Sequence, residues 1–484
     1  MLKYRGLYEE YRALIESGAY GPGERLPSLR RVAADSGLAL NTVRAAFDLL
    51  ARDGLARPLA RGGYYVRGRD LLARYAPPPG CHSAEGLSAS RKIEYLLAMG
   101  GATGGFALAE PGRELLPADR LERLLSSLPA GWIEYGDQAG EIALRRRIAA
   151  ACHPYLGEVP PEEILVTCGA TEALGIAIRA VLKPGDAVAV ESPTYYDYFR
   201  QLSAAGARIV EVPVAAGGGP AGEGGGMDLG LLESLLSKRA IRMIIAQPNV
   251  QNPTGCIMPD DDKEKLVALA RKSGSVLMQD DVYGDLAFSA ERPSSLGRFG
   301  CGEDMIYVSS FSKTVAPGLR IGWMRAPFLG SEIARLKSLS SLATNRPAQL
   351  ALASFLGGAA YRRHLAGMRA ALEAQLADYL GVLEGALPSG SSYLRPGGGC
   401  LLWISLPPGV DASRLFEKAA AEGILIAPGE LFSANPFFKG HVRVNFGYRL
   451  TEARRESLAR LCEIARDEAR RASARRGPAA RVDR

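Results

Sequence analysis

A chain of 484 residues is long enough for two or three domains with a large hydrophobic core. Hydrophobic residues make up 47% and charged residues 23%, and no apolar run approaches the roughly 20 residues of a membrane-spanning helix. We therefore expect no membrane partner, and the charged start of the chain predicts no signal peptide. The seven cysteines are scattered without a C-x-x-C pair, which argues against a metal site or disulfides and favours the reducing cytoplasm.

The net charge of +7 is concentrated at the two ends of the chain. Residues 1–75 carry thirteen basic and eight acidic side chains, a balance of +5. Residues 465–484 carry seven and three, a balance of +4, which leaves −2 for the 389 residues between them. A basic N-terminal segment beside a near-neutral body indicates a polyanionic partner, although charge alone fits a solvated helix face equally well.

The N-terminal segment has the pattern of a small helical domain with a β hairpin. Apolar periodicity, Gly and Pro breaks and a capping Ser28 predict three helices and then two short β segments. These elements are predicted at residues 7–17, 28–36, 41–53, 55–57 and 64–66. Three helices followed by a hairpin wing are typical of a winged helix-turn-helix.

The same segment resembles the DNA-binding domain of GntR-type bacterial regulators. The matching stretches are residues 22–30, 41–47, 49–55 and 62–66. In that family the arginine after the Leu-Pro-Ser stretch contacts phosphates, the start of the third helix reads the major groove, and the wing tip approaches the minor groove. The resemblance therefore implies binding of double-stranded operator DNA through Arg30, Asn41, Thr42, Arg44 and Gly62.

One departure from the GntR pattern lies just before the predicted third helix. Ala39 and Leu40 stand where the family usually has a polar pair such as Ser-Arg. The missing arginine removes one expected contact with a base or a phosphate, so we expect either an unusual DNA sequence to be read or the reading to be weaker. Taken alone, Arg30 and Arg44 are also consistent with ordinary solvated helix charges.

The composition changes between residues 67 and 100, where a Pro-Pro-Pro-Gly stretch at 77–80 is followed by serines and glycines. Such composition is typical of a linker. We therefore predict a DNA-binding domain at residues 1–68, a linker at 69–100, a large domain at 101–470 and a basic tail at 471–484.

Apolar strand-like runs alternate with helical patterns through the large domain. Examples are residues 164–167, 187–190, 243–246, 276–279 and 305–308. Continuous apolar runs separated by helices predict a mostly parallel sheet that is buried on both faces. Ligands of such sheets lie beyond the carboxyl ends of the strands, where several polar residues of this chain stand.

Lys313 is the most informative of these residues, because it follows three serines at 309, 310 and 312 and precedes Arg320. Hydroxyls and a guanidinium suit a phosphate dianion, and a lysine amine suits an aldehyde that forms a Schiff base. Together they indicate pyridoxal 5′-phosphate (PLP). Its pyridine nitrogen needs a carboxylate, and Asp280 at the end of a predicted strand is placed to supply one. An isolated lysine is usually a surface residue, so the prediction rests on the agreement of several positions.

Residues 95–470 resemble the fold-type I, class I and II aminotransferases. The motifs lie at residues 134–140, 144–145, 167–174, 184–186, 252–255, 280–283 and 313–320, and at Arg443. The resemblance implies an α/β fold with a mostly parallel sheet and a smaller C-terminal α+β subdomain. It makes Lys313 the catalytic residue that holds PLP as an internal aldimine, and assigns Arg443 to a substrate carboxylate. The other implied cofactor contacts are Tyr135 (reaching the other subunit of a dimer), Ala170, Thr171, Tyr195, Asn252, Asp280, Tyr283, Ser310 and Arg320.

The combination of the two domains resembles the MocR/GabR family of bacterial transcriptional regulators. This resemblance implies a multi-domain, PLP-dependent, DNA-binding regulator that senses an amino acid or amine and forms a homodimer, with domain swapping as the family pattern. Two alternatives stay open. One is a catalytically active aminotransferase acting on an amino acid and a 2-oxo acid, and the other is a sensor of the cofactor level alone. Sequence separates them poorly, because Lys313 and Arg443 are both present.

Overall fold

The computed structural model describes residues 3–16, 20, 25–53, 55–59, 63–66, 88–103, 105–129, 131–215, 224–300, 304–435 and 437–476. The chain divides into two compact units, Met1–Cys81 and His82–Arg484. Gly62, most of the predicted linker and residues 477–484 of the predicted tail lie outside the described residues. Among the residues that are described, no helix is long and apolar enough to cross a membrane.

The described residues of the first unit form three helices and a two-stranded antiparallel ribbon. The elements are α1 (Lys3–Glu16), α2 (Leu29–Ser36), α3 (Leu40–Arg52), β1 (Ala56–Leu59) and β2 (Gly63–Val66). Ser28 caps α2 by accepting the N–H of Arg31, and Gly37 ends it in the left-handed region at φ 67°. The apolar side chains of all three helices and the ribbon form one small core. The predicted winged helix-turn-helix is therefore confirmed.

The second unit alternates helices and strands along most of its length. Its helices are α4 (Ala89–Thr103), α5 (Ala118–Ser126), α6 (Ile142–Leu156), α7 (Ala170–Val181), α8 (Tyr196–Ala204), α9 (Leu229–Lys238), α10 (Asp260–Ser273), α11 (Gly330–Ser340), α12 (Arg346–Leu356), α13 (Ala359–Ala386), α14 (Ala412–Ala421) and α15 (Glu452–Arg476). Its strands are β3 (Ile164–Thr167), β4 (Ala187–Ser192), β5 (Arg208–Ala215), β6 (Gly226–Met227), β7 (Ile241–Ala246), β8 (Val276–Asp280), β9 (Met305–Ser310), β10 (Gly322–Arg325), β11 (Ser392–Leu394), β12 (Leu401–Ser405), β13 (Ala427–Pro428) and β14 (His441–Asn445).

Eight of these strands form one sheet in the order β3-β10-β9-β8-β7-β4-β5-β6. The pairings of β9, β8, β7, β4 and β5 are parallel, whereas β10 and β6 run antiparallel to their neighbours. Every residue of β3, β4 and β9 is buried, which explains their continuous apolar sequences. The predicted sheet is confirmed, and the carboxyl ends of its parallel strands meet at one edge.

A second, four-stranded antiparallel sheet has the order β11-β12-β14-β13. It packs with α13, α14 and α15 around a separate core of large aliphatic and aromatic side chains. In this sheet Trp403 of β12 pairs with Arg443 of β14. The smaller α+β subdomain is thereby confirmed, and it carries Arg443 on a central strand.

Two elements lie where the sequence predicted linker and tail. Helix α4 begins at Ala89, inside the predicted linker at 69–100, and helix α15 continues to Arg476, inside the predicted tail at 471–484. In α4, Ile93 and Leu96 are buried in the core of the smaller subdomain. The end of the predicted linker is therefore packed structure, and the domain limits stay a prediction.

Candidate functional site

A cavity of about 200 Å³ opens at the carboxyl edge of the large sheet. It brings together nine of the predicted cofactor contacts, although these lie up to 150 residues apart between Ala170 and Arg320. The nine are Ala170, Thr171, Tyr195, Asn252, Asp280, Tyr283, Ser310, Lys313 and Arg320. Tyr135 does not line the cavity and is 90% exposed, as a residue that reaches another subunit would be.

Asp280 is the last residue of β8, and its carboxylate is buried at the cavity. Its Oδ2 accepts bonds from Tyr198 Oη at 2.6 Å and Gln247 Nε2 at 3.2 Å, and its Oδ1 accepts the Val282 N–H at 3.2 Å. Burial nevertheless raises the pKa of Asp280 to about 6. Three donors fix the orientation of this carboxylate, and a cation beside it would stabilise the charged form.

Lys313 follows β9 by three residues and lines the same cavity. Burial lowers the pKa of its ammonium group below the ordinary value for lysine. No ion pair joins Lys313 to a carboxylate of the described residues. A lower pKa increases the fraction of the neutral amine, which is the nucleophilic form.

The start of α7 forms one wall of the cavity. Gly169 precedes this helix at φ 79°, and a side chain there would collide with the guanidinium of Arg320. Arg320 contacts Ser312 Oγ and the Cys168 carbonyl, both at 3.4 Å, and Ser312 Oγ in turn accepts a bond from Ser310 Oγ at 2.9 Å. A helix N-terminus, two hydroxyls and an exposed guanidinium around one space are the groups that bind a phosphate.

Arg443 does not line the cavity; it is only 1% exposed and bonds to Asn252, which does line it. Its Nη1 donates to Asn252 Oδ1 at 3.1 Å, its Nη2 donates to the Ala107 carbonyl, and its guanidinium carbon lies 4.9 Å from the centre of the Phe432 ring. Its Nε has no hydrogen-bond partner among the described residues. The guanidinium is therefore held from several sides and still has a free donor.

Arg443 also differs from the other buried cations of the described chain. Each of the others lies within 4.0 Å of a carboxylate, whereas no ion pair is formed by Arg443 with any described residue. The paired cations are Lys92 with Glu430, Arg145 with Asp137, Lys263 with Asp260, Arg325 with Glu163 and Lys337 with Glu172. A buried, unpaired guanidinium is costly, so the exception indicates a site for an external anion.

Tyr195 and Tyr283 contribute aromatic side chains to the cavity. The Tyr195 ring lies 5.0 Å from that of Tyr196 and 5.6 Å from that of Tyr198, which leaves it fixed at the start of α8. Tyr283 Oη donates to the Ala109 carbonyl at 2.8 Å. Both predicted aromatic contacts are therefore positioned by other parts of the chain.

In the first unit, the side chains of Arg30, Asn41 and Arg44 are exposed, and that of Thr42 is half-buried. Arg30 is on the first turn of α2, and the other three are on the first two turns of α3. No ion pair joins Arg30 or Arg44 to a described residue, so both guanidinium groups are available to a phosphate. Gly62 lies outside the described residues.

Comparisons with known proteins give matches over both units. Residues 118–461 match the family "Aminotransferase class I and II", and residues 3–66 match "Bacterial regulatory proteins, gntR family". The chain is 32% identical over 472 residues to the uncharacterized HTH-type transcriptional regulator YjiR of Escherichia coli, covering 96% of this chain and 98% of that one. The HTH-type transcriptional regulator TauR of Rhodobacter capsulatus is 29% identical, with 90% of each chain covered.

The chain belongs to the GntR-type transcriptional regulators of the MocR type, which carry a class I and II aminotransferase domain. Solved structures agree for the larger domain of this regulator. The multiple substrate aminotransferase of Thermococcus profundus superposes with a TM-score of 0.71 at 26% identity, over 78% of this chain and 95% of that one. LysN, the α-aminoadipate aminotransferase of Thermus thermophilus, gives a TM-score of 0.70 at 27% identity, over 79% and 95%.

The class I and II aminotransferase domain of the regulator implies PLP as its cofactor. LysN was solved with N-(5′-phosphopyridoxyl)-L-leucine, a compound that joins this cofactor to an amino acid. The residues of the cavity fit such a group. They offer an amine at Lys313, an oriented carboxylate at Asp280 and a phosphate cradle at the start of α7, and Asn252 of the cavity bonds to the unpaired guanidinium of Arg443 behind it.

The structure adds three polar residues of the regulator that the sequence pattern did not single out. Gln247 bridges the site, because its Nε2 donates to Asp280 while its Oε1 accepts the N–H of Asn252 at 3.2 Å. Tyr198 donates to Asp280 from one turn beyond Tyr195. Glu191, at the end of β4, accepts the N–H of Gln247 at 3.1 Å. The position of Gln247 directly after the apolar run of β7 is the same signal that indicated Asp280 after the apolar run of β8.

Proposed function

We propose that this regulator binds operator DNA through its first unit, holds PLP covalently at Lys313 in its second, and senses an amino acid or amine. The observation that carries the proposal is the cavity, where nine residues of the cofactor pattern meet in the same chain as a winged helix-turn-helix. Its family relatives that span both units are named as transcriptional regulators. A protein whose partner is the chromosome works in the cytoplasm.

Each residue has a distinct task in holding the cofactor. Bound PLP supplies an aldehyde that condenses with primary amines and a ring that accepts electrons. Lys313 presents its neutral amine to that aldehyde, and Asp280 keeps the proton of the pyridine nitrogen. The N–H groups of Ala170 and Thr171, with Ser310 and Arg320, bind the phosphate. Tyr195 would stack on the ring, and Asn252 would hold its phenolic oxygen, joined by Tyr283 when its hydroxyl turns from the Ala109 carbonyl to that oxygen.

The second ligand is recognised by its charge as well as by its amine. Arg443 binds the carboxylate of an amino acid, because it is buried, faces Asn252 and has a donor without a partner in the described chain. A guanidinium binds a carboxylate through two parallel hydrogen bonds, which fixes the orientation of the ligand. An amine without a carboxylate would leave Arg443 unpaired and would therefore bind more weakly.

A route from the cavity toward the DNA-binding unit begins at α4. This helix is the first described element after residues 67–87, and its Leu97 lines the cavity. Lys92 of the same helix is buried and pairs at 2.7 Å with Glu430, which lies two residues before the Phe432 ring beneath Arg443. A ligand that binds more tightly when α4 is in one of two positions shifts the chain toward that position. The free energy of DNA binding then changes by the difference between the ligand's binding free energies for the two positions.

A second copy of the chain completes the proposal. Tyr135 is exposed at 90% and lies outside the cavity of its own chain. We infer that it contacts the cofactor phosphate of a partner subunit in a homodimer, whose domains are exchanged between the two copies as in the family pattern. A twofold dimer would present two recognition helices to an operator with two half-sites.

The second candidate function is a catalytically active aminotransferase. It is favoured by the same groups, since an amine with a lowered pKa at Lys313 and a carboxylate-binding Arg443 are what amino-group transfer requires. Transfer to a 2-oxo acid would proceed with Lys313 moving the proton. Regulation is preferred because the relatives that cover both units are named as regulators.

The test compares three measurements on purified full-length protein. The visible absorption band of the lysine-bound cofactor should be present in the wild type and absent in Lys313→Ala. Gel-shift binding to the protein's own upstream region should weaken steeply with rising salt and in Arg44→Ala. Sustained transfer of amino groups to a 2-oxo acid, together with no binding to any promoter fragment, would support the aminotransferase instead.

A further inference from the structure

The first residue of the recognition helix presents an apolar side chain to solvent. Along α3, Val43, Ala46, Phe47 and Leu50 are each 0% exposed and form the centre of the small core. Leu40 is 40% exposed and is not part of that core. Its isobutyl group is therefore outside the core, and packing of the core does not explain why a leucine stands there.

Leu40 lies on the side of α3 that is predicted to meet DNA. With 3.6 residues per turn, residues four apart lie one above the other, so Leu40 stands beside Arg44 and next to Asn41. The side chains of all three are exposed. The helix starts at this point, because the carbonyl of Ala39 accepts the N–H groups of Thr42 and Val43 at 2.8 and 3.1 Å. Leu40 is thus on the leading turn of the helix that enters the major groove.

The chemistry of leucine restricts what it can recognise in that groove. Guanine, adenine and cytosine present hydrogen-bonding atoms there. An aliphatic side chain in contact with these atoms would displace the water bound to them and would offer no hydrogen bond in its place. Thymine alone presents a methyl group, at C5. Apolar contact with that methyl is favourable because it removes two apolar surfaces from water.

Building on the proposed DNA-binding function, we propose that Leu40 is a specificity-determining residue that selects thymine in the operator through contact with its C5 methyl group. At this position of the operator the base is then recognised by an apolar contact with Leu40 and not by a hydrogen bond. Removal of one buried methyl group corresponds to about a fourfold loss of affinity, from about 0.8 kcal/mol per group.

The experiment uses full-length wild-type protein to select duplexes from a random-sequence library. In one selected duplex, each thymine is then replaced singly by uracil, which lacks only the methyl group. The wild type should lose about fourfold in affinity when uracil replaces one particular thymine of either half-site. Leu40→Ala changes both subunits, so it should bind the unmodified duplex about 16-fold more weakly and should show no further loss with uracil at that thymine. Leu231→Ala, a change at a leucine that is 39% exposed on α9, should behave as the wild type.

The outcomes distinguish failure of the proposed role of Leu40 from failure of the proposed DNA-binding function. Equal binding of the thymine and uracil duplexes at every position, with affinity still dependent on Arg44, overturns the role of Leu40 and leaves DNA binding intact. Full uracil sensitivity retained in Leu40→Ala overturns it as well. Selection of no duplex at all overturns the DNA-binding function together with the inference. Leu40 is exposed, so its replacement by alanine, a better helix former, should not unfold the unit.

Discussion

Replacement of Arg443 by methionine tests which part of a ligand the cavity recognises. Arg443 is buried and donates to Asn252 and to the Ala107 carbonyl, and its Nε is without a partner in the described chain. Methionine fills a similar volume without charge or donors. The substitution should therefore remove binding of a carboxylate while leaving Lys313 and Asp280 to hold the cofactor.

The size of the effect follows from the bonds that are lost. A hydrogen bond to a charged group contributes roughly 1.5–3 kcal/mol, so loss of a two-point contact with a carboxylate should cost about 3 kcal/mol or more, or at least about 150-fold in affinity. The free energy of unfolding without ligand should change by less than about 2 kcal/mol, because removal of an unpaired buried charge offsets the loss of its two acceptors.

The assay follows the cofactor absorption band while a panel of amino acids and their decarboxylated amines is titrated into the protein. Arg443→Met should weaken the amino acids and leave the amines unchanged, and Arg443→Lys should fall between, since it keeps the charge without the planar fork. Lys263→Met is a control, because Lys263 is a buried cation that pairs with Asp260 and has no hydrogen bond to a described residue of the cavity, whereas Arg443 bonds to Asn252. Equal losses for an amino acid and its amine would refute the carboxylate-binding role of Arg443.

Three further predictions concern pH, DNA and coupling. Burial raises the pKa of Glu191 from 4.5 to about 7, so the folded state binds more protons between these values and the free energy of unfolding falls as pH rises through them. The free energy of unfolding of Glu191→Gln, measured in urea, should therefore exceed that of the wild type by about 3 kcal/mol at pH 8 and should equal it below the pKa of the unfolded state. A difference between the two proteins that does not change with pH would contradict this account. Arg44→Ala should weaken DNA binding and reduce the slope of log affinity against log salt by about 1, whereas an unchanged slope would exclude a phosphate contact. Glu430→Gln should leave ligand affinity nearly unchanged but reduce the ligand-dependent change in DNA affinity, and an unchanged response would exclude the Lys92–Glu430 pair from the route.

The sequence predicted those residues of the site that lie at the end of a buried strand or shortly after it. An apolar run that is buried on both faces must end where polar residues begin, so Asp280 at the end of β8 and Lys313 shortly after β9 could be located from the sequence. The parallel register then sets both at one edge, since Asp280 pairs with Val308 of β9. These residues lie on adjacent strands, and their proximity follows from the topology.

The parts that sequence did not predict depend on contacts between distant segments. Tyr198 bonds to Asp280 across 82 residues, and Tyr283 bonds to Ala109 across 174. For helix α4 the sequence indicated only a short helical or strand-like piece at residues 93–97, because the charged and small residues around it resemble linker composition; its extent and the packing of Ile93 and Leu96 against the smaller subdomain come from the structure. Local pattern indicates which residues face a ligand, whereas only the fold shows what holds them.

Charge balance connects the cavity to the proposed regulation. Among the described residues, Lys313, Arg320 and Arg443 form no ion pair with a carboxylate, while Asp280 is buried with its pKa raised to about 6. A phosphate dianion, a ligand carboxylate and a protonated pyridine nitrogen would neutralise these groups one by one. Such interactions are strong where water is excluded, so the filled and empty states differ substantially in free energy. A regulator needs only part of that difference to change its affinity for DNA. Because linkage is reciprocal, bound operator DNA must change the affinity for the amino acid by the same factor.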